Sequence, residues 1–161
     1  MTFLPELSRE EMLRMLDEER VGRLGLNDRP QPYVVPTDFT FEDGAIYIHT
    51  PDQGLKAKLA RADPNVCFEV DKYNEAVTDF RSVIVRGRIA EVSEAVERAR
   101  AMQSLGRKAA GFNYAAAHRD GGNGSPAPSI TIFRIEIRDM TGVKSFHNGH
   151  KGHDEAVSRQ P

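Results

Sequence analysis

Residues able to do chemistry crowd one short run, His49-Thr50-Pro51-Asp52-Gln53-Gly54-Leu55-Lys56-Ala57-Lys58. A strand-like segment, AIYIH (45–49), leads into it, and a helix-like segment, LKAKLARA (55–62), leads out, so the run forms a strand-to-helix corner. The first backbone N–H groups of a helix lack intrahelical acceptors and carry partial positive charge, which makes an accessible helix start an anion site. Thr50 can add a hydroxyl, and Gly54 lets the backbone approach a ligand with no Cβ in the way. Lys56 and Lys58, two apart, point to different sides of a helix, so at most one of them serves the same anion. Asp63-Pro64 stops the helix after about two turns. The competing reading is a lysine-rich first turn on a solvated helix, with His49 a half-buried strand histidine. Spacing alone does not choose between the two.

Other reactive side chains carry weaker signals. His147, His150 and His153 recur every three residues, but in a Gly-interrupted tail an ion would itself have to order them, and no metal site is expected. Cys67, between Val66 and Phe68 in a strand-like run, is expected to pack as a small apolar residue rather than act as a thiol nucleophile. Arg81, Arg86 and Arg88 are expected to pair with carboxylates, the alternative being that they line the mouth of a ligand site. The glycines of DGGNG (120–124) follow no strand and precede no helix, so they do not form a dinucleotide loop.

With 161 residues the chain has one domain's worth of sequence, enough to bury a core without disulfides. Charged residues make up 29%, yet the net charge is −2 and the signs interleave, which gives no general attraction for nucleic acid or an anionic membrane. The single cysteine excludes an internal disulfide, and no apolar run approaches the roughly 18 residues of a membrane span. The start, MTFLPELSREE, has no basic segment followed by an apolar one, so a cytoplasmic protein is the expectation.

The elements that must hold the corner are legible in outline. Ser8 and Glu11 fit a capping box, with Leu7 and Met12 spaced as a hydrophobic staple, so a helix is expected from near Arg9 to about Glu19 or Arg20. Then come six strand-like runs, at 21–26, 33–41, 45–50, 65–70, 82–92 and 129–140. Asp43-Gly44 supplies hairpin chemistry, and the first three runs should form an antiparallel meander. Ser93 can cap a long helix over roughly 94–109, with Val96, Ala99, Met102 and Leu105 on its packing face. Residues 118–129 and 147–161 are too rich in glycine, proline and polar residues for regular structure, so the expected domain is 1–146 followed by a disordered tail. Many short strands beside helices suggest a small, nearly closed β-barrel, because closure removes unpaired edges. Pro36 interrupts a ladder, which implies an edge, a bulge, or a place where something other than a strand approaches the backbone.

The order VGRLGL, PYVVPTDFTFEDGAIYIHTPDQGLKAKLARADPNVCFEV, SVIVRGRIAEV, RDMTGVK resembles the pyridoxamine 5'-phosphate oxidase-like FMN-binding split-barrel proteins, and in particular their nitroimidazole-resistance-type branch. The resemblance spans about residues 8–145 and is most specific at the His-x-x-x-x-Gly-x-Lys run (49–56) and at Asp63-Pro64-Asn65-Val66. It implies a mainly β fold, a six-stranded antiparallel Greek-key split barrel with flanking helices, forming a homodimer with FMN in a groove at the subunit interface. Carried over position by position, it implies that the backbone of Val35, Pro36 and Thr37 runs along the isoalloxazine. Tyr47, His49 and Thr50 would follow the ribityl chain and phosphate, and Lys56 rather than Lys58 would pair with the phosphate. Ser82 and Val83 would come from the second subunit. The chain has no tryptophan, so it lacks the Trp- and Arg-containing segment with which authentic pyridoxamine phosphate oxidases grip their substrate. It also offers one well-placed lysine where those enzymes use an Arg-Lys pair.

A flavin performs hydride and electron chemistry itself while the protein orients it, which accounts for the lack of a conspicuous acid–base pair or triad in the sequence. A cation such as Lys144 aimed at the pyrimidine end would favour reduction, its other reading being a solvated lysine beyond the last strand. The reading is therefore an FMN-dependent oxidoreductase, a nitroreductase-like flavoprotein acting on a small organic acceptor such as a nitroaromatic. The alternatives are a flavin- or haem-binding carrier or sensor without turnover, and a deazaflavin-dependent reductase on the same barrel.

Overall fold

The computed structural model describes residues 3–109 and 129–146. Helix α1 (Arg9–Glu18) opens with both halves of the expected capping box. The Ser8 hydroxyl accepts from the Glu11 amide at 3.2 Å, and the Glu11 carboxylate accepts from the Ser8 amide at 2.8 Å. The strands follow as β1 (Val21–Asp28), β2 (Gln31–Asp38), β3 (Thr40–Glu42) and β4 (Ala45–Pro51). After α2 (Leu55–Ala62) come β5 (Asn65–Tyr73), β6 (Phe80–Glu91), α3 (Ala95–Lys108) and β7 (Ile130–Lys144).

All pairings are antiparallel, and the sheet order is β2-β1-β5-β6-β7-β4-β3. The two edge strands, β2 and β3, are consecutive in the chain and separated by Phe39 alone. One residue cannot span an open seven-stranded sheet, so the sheet must curl until its edges meet. The result is a mainly β split barrel with three helices against it. Seven strands replace the expected six because the run 33–41 breaks at Phe39, whose N–H leaves the ladder to bond the Arg20 carbonyl at 3.2 Å. Its first part pairs with β1 and its second with β4, so the expected meander is interrupted at that residue.

Strand alternation fills the barrel. Leu24, Ile48, Phe68, Val85 and Ile135 point inward with Leu16 of α1, and Phe39 meets Phe68 edge to face at 5.0 Å. A second cluster lies under α3, where Ala45, Tyr47 and Ile132 pack against Ala101 and Leu105. The Asp43-Gly44 hairpin has the left-handed backbone its sequence predicts, with φ of 51° and 79°. The cap of α3 is Glu94, not Ser93: its carboxylate accepts from the amides of Val96 and Glu97 at 2.8 and 2.7 Å. Cys67 is exposed rather than packed, because Val66, Phe68 and Val70 take the inward positions of β5 and the residue between them must face out. The three tail histidines and most of the 118–129 segment lie outside the described residues. Among the described residues, no helix is long and apolar enough to cross a membrane.

Candidate functional site

The corner forms at one mouth of the barrel, where the end of β2, the end of β4 and the start of α2 converge. Thr50 is 2% exposed and, by alternation with Ile46 and Ile48, points inward. A methyl group at Gly54, the residue before α2, would sit 3.2 Å from the Pro51 carbonyl and 3.8 Å from Thr50 Oγ1, so the turn is wound tightly over that hydroxyl. No side chain caps α2, and its first turn holds no acidic residue. An open helix start without a competing carboxylate in its first turn suits an anion.

Lys56 leans back across the mouth and donates to Thr37 Oγ1 at 3.2 Å. Lys58 is exposed. The structure thus distinguishes the two lysines as their spacing requires. Burial pushes the Lys56 ammonium below the ordinary lysine value, and the Asp38 carboxylate nearby pulls the other way. A half-buried ammonium gains by acquiring a further anionic partner, because desolvation strengthens the attraction. His49, on the outward side of β4, has Nδ1 3.5 Å from Asp38 Oδ1. Thr37, Asp38, His49 and Lys56 therefore form one constellation, with Thr50 buried behind the helix start.

The remaining expected site residues sit elsewhere in the protomer. Val35 packs at the edge of the core, and Pro36 faces outward beside Arg23 of β1. Tyr47 turns toward α3 and donates its hydroxyl to Glu97 Oε1 at 2.9 Å; burial first, and then that carboxylate, raise its pKa. Ser82 and Val83 lie on the central strand β6, separated from β2 by β1 and β5 and from β4 by β7. Val83 is fully buried in the core, while Ser82 faces outward and donates to Glu69 Oε1 at 3.3 Å. Burial, followed by the neighbouring Asp71, raises the pKa of Glu69, and Arg23 bridges both carboxylates at 3.6 and 2.6 Å. Lys144 is not at the corner: it donates to Glu11 Oε1 at 2.7 Å and ties α1 to the end of β7.

Sequence reasoning missed Asp38 and a brace around residues 51–54. Arg61, in the last turn of α2, donates to the Asp52 carbonyl and carboxylate at 3.0 and 2.5 Å and to Glu91 Oε2 at 3.0 Å. Thr131 donates to the same Asp52 oxygen at 2.8 Å. Hydrogen bonds from Arg61, then Thr131, hold the Asp52 carboxyl below its ordinary range. A turn residue 79 positions from its threonine partner has no local signal that could reveal the pairing.

The sequence matches the family model described as pyridoxamine 5'-phosphate oxidase over residues 8–144. No curated protein matches it significantly. Among solved structures, an FAD-binding protein from Mesorhizobium loti shares 28% identity with a TM-score of 0.71, covering 90% of this chain and all of its own. An FAD-binding protein from Mycobacterium smegmatis (20% identity, TM-score 0.66) covers 88% of this chain and 98% of its own. A candidate 5-nitroimidazole antibiotic resistance protein from Bacteroides thetaiotaomicron (18%, TM-score 0.68) covers 89% of each. The two last-named share the fold.

Proposed function

Since the chain belongs to the pyridoxamine 5'-phosphate oxidase family, we propose that it is a homodimeric FMN-binding oxidoreductase of the cytoplasm that reduces a small organic acceptor, a nitroaromatic being the first to test. The observation that carries the reading is Lys56, half-buried and bonded to Thr37 beside the uncapped start of α2. The donor set suits a terminal phosphate: the uncapped amides at the start of α2 and a half-buried ammonium that Thr37 orients. The Mesorhizobium loti relative, described as FAD-binding, supports a flavin as the ligand. FMN is the flavin to test first, because the donors gathered at the corner fit a single phosphate group.

When bound, the cofactor supplies the hydride and electron transfer. The chain's own residues bind and orient it. Lys56 and the first amides of α2 would hold the phosphate, His49 would stand beside the adjoining chain with Thr50 supporting the corner from inside the barrel, and the backbone of Val35 to Thr37 would lie along the ring system, while the side chain of Tyr47 is directed to α3. Ser82 would reach the ring from the second subunit, with the buried Val83 beside it contributing position rather than side-chain contact. A dimer is supported by the outward face of the sheet across β2, β5 and β6, where Val34 and Ile84 are 62% and 41% exposed and Cys67 is exposed as well.

The visible spectrum of the purified protein is the first test: a flavin band supports the reading, while a Soret band would replace it with haem binding. Light scattering should give twice the chain mass. Turnover of a nitro compound with a nicotinamide reductant separates an enzyme from a carrier, since a carrier shows the flavin band but no turnover.

A further inference from the structure

The Arg61 brace lies outside every residue assigned above to the cofactor, yet it is bonded to the turn that leads into the corner. Side chains on a helix lean toward its N-terminus, so Arg61 reaches back along α2 to the turn that precedes the helix. There its Nη1 bonds the Asp52 carbonyl at 3.0 Å and its Nη2 the Asp52 carboxylate at 2.5 Å. Its Nε bonds Glu91 of β6 at 3.0 Å, and the guanidinium stacks 5.9 Å above the Phe133 ring of β7. Thr131 Oγ1 donates to the same Asp52 oxygen at 2.8 Å, the Asp52 amide bonds the Ser129 carbonyl at 2.8 Å, and Gln53 Nε2 meets the other carboxylate oxygen at 3.0 Å.

Each of the three guanidinium nitrogens thus donates within the protein, to Asp52, Glu91 and Thr131, which take four of its five N–H groups. The brace also governs a charge. Asp52 stands two residues before Gly54, close along the chain to the open amides of α2, where a free carboxylate would compete with an anion for the same donors. Arg61 and Thr131 draw that carboxylate sideways onto β7 and neutralise it.

Resting on the FMN reading above, we propose that Arg61 is a positioning residue for the phosphate: acting through Asp52 and Thr131, it fixes the 51–54 turn and keeps the start of α2 open to a terminal phosphomonoester. The role predicts selectivity for phosphate, not merely affinity. FMN and riboflavin share the ring system and ribityl chain and differ in the phosphate, so the ratio of their dissociation constants reads the corner alone.

The experiment titrates apoprotein with each ligand by fluorescence quenching, for wild type, Arg61→Met and Thr131→Val. Wild type should prefer FMN, and Arg61→Met should cut that preference about tenfold or more while leaving riboflavin binding within about twofold. Thr131→Val, which removes one neutral donor, should cut it about threefold, and it decides the matter alone if Arg61→Met does not fold. An unchanged ratio in the folded variants, or equal losses for FMN and riboflavin, overturns the proposal. Wild-type protein that binds both ligands equally would overturn the phosphate reading itself, and this inference with it.

Discussion

Lys144 shows how a single side chain is claimed by its surroundings. By sequence it could have aimed at a cofactor, but its ammonium meets the Glu11 carboxylate, which also closes the capping box of α1. Hydrogen bonds from Lys144 and then the Ser8 amide hold the Glu11 pKa down to about 2, from an ordinary 4.5. A carboxyl whose folded pKa is depressed contributes stability that is complete above its unfolded pKa and is lost as pH falls toward its folded one. Urea unfolding should therefore show wild type more stable than Glu11→Gln above about pH 4.5, with the gap closing between there and about pH 2. A gap independent of pH would mean that the ion pair is not what Glu11 contributes.

At the scale of elements, the signals read correctly were the local ones. Ser8 with Glu11, Asp43 with Gly44, and Asp63 before Pro64 each act over a few residues, and all three fall where expected. What escaped was set by distant partners. Phe39 breaks a strand because Arg20 takes its N–H, and Glu94 displaces Ser93 as cap because its longer side chain reaches two amides at once. The residues of the corner were legible as a group, since Thr50, Gly54 and Lys56 are neighbours in sequence. Arg61 and Thr131 were not, because their shared partner Asp52 joins a helix end to a strand that comes 70 residues later. Close strand packing gives a test of its own. A Cβ at Gly22 would lie 2.3 Å from Phe68 Cζ and 2.8 Å from the Glu69 carbonyl, so Gly22→Ala must displace a core ring. Its cost should be about 1–3 kcal/mol in chemical denaturation, and a neutral result would show that the β1–β5 contact is looser than described.

For the molecule as a whole, the bent segment from β2 to β3 closes the barrel and at the same time carries Thr37 and Asp38 to the corner. Phe39, at the bend, is 1% exposed, packs on Phe68 and lies 4.2 Å beneath Lys108 Nζ, which also bonds the Leu16 carbonyl of α1 at 2.8 Å. Burial lowers the pKa of that lysine to about 8. Phe39→Ala should cost about 3–5 kcal/mol, measurable by urea unfolding, and should weaken ligand binding too, because barrel closure and the site share this segment. The central claim is that one ammonium group at the start of α2 holds the phosphate of a bound flavin. It is tested most directly by FMN titration of Lys56→Ala and Lys58→Ala side by side. Lys56→Ala should lose about 1.5–3 kcal/mol of binding, roughly ten- to a hundredfold, with Lys58→Ala close to wild type. Equal losses from the two, or none from Lys56→Ala, would contradict the account.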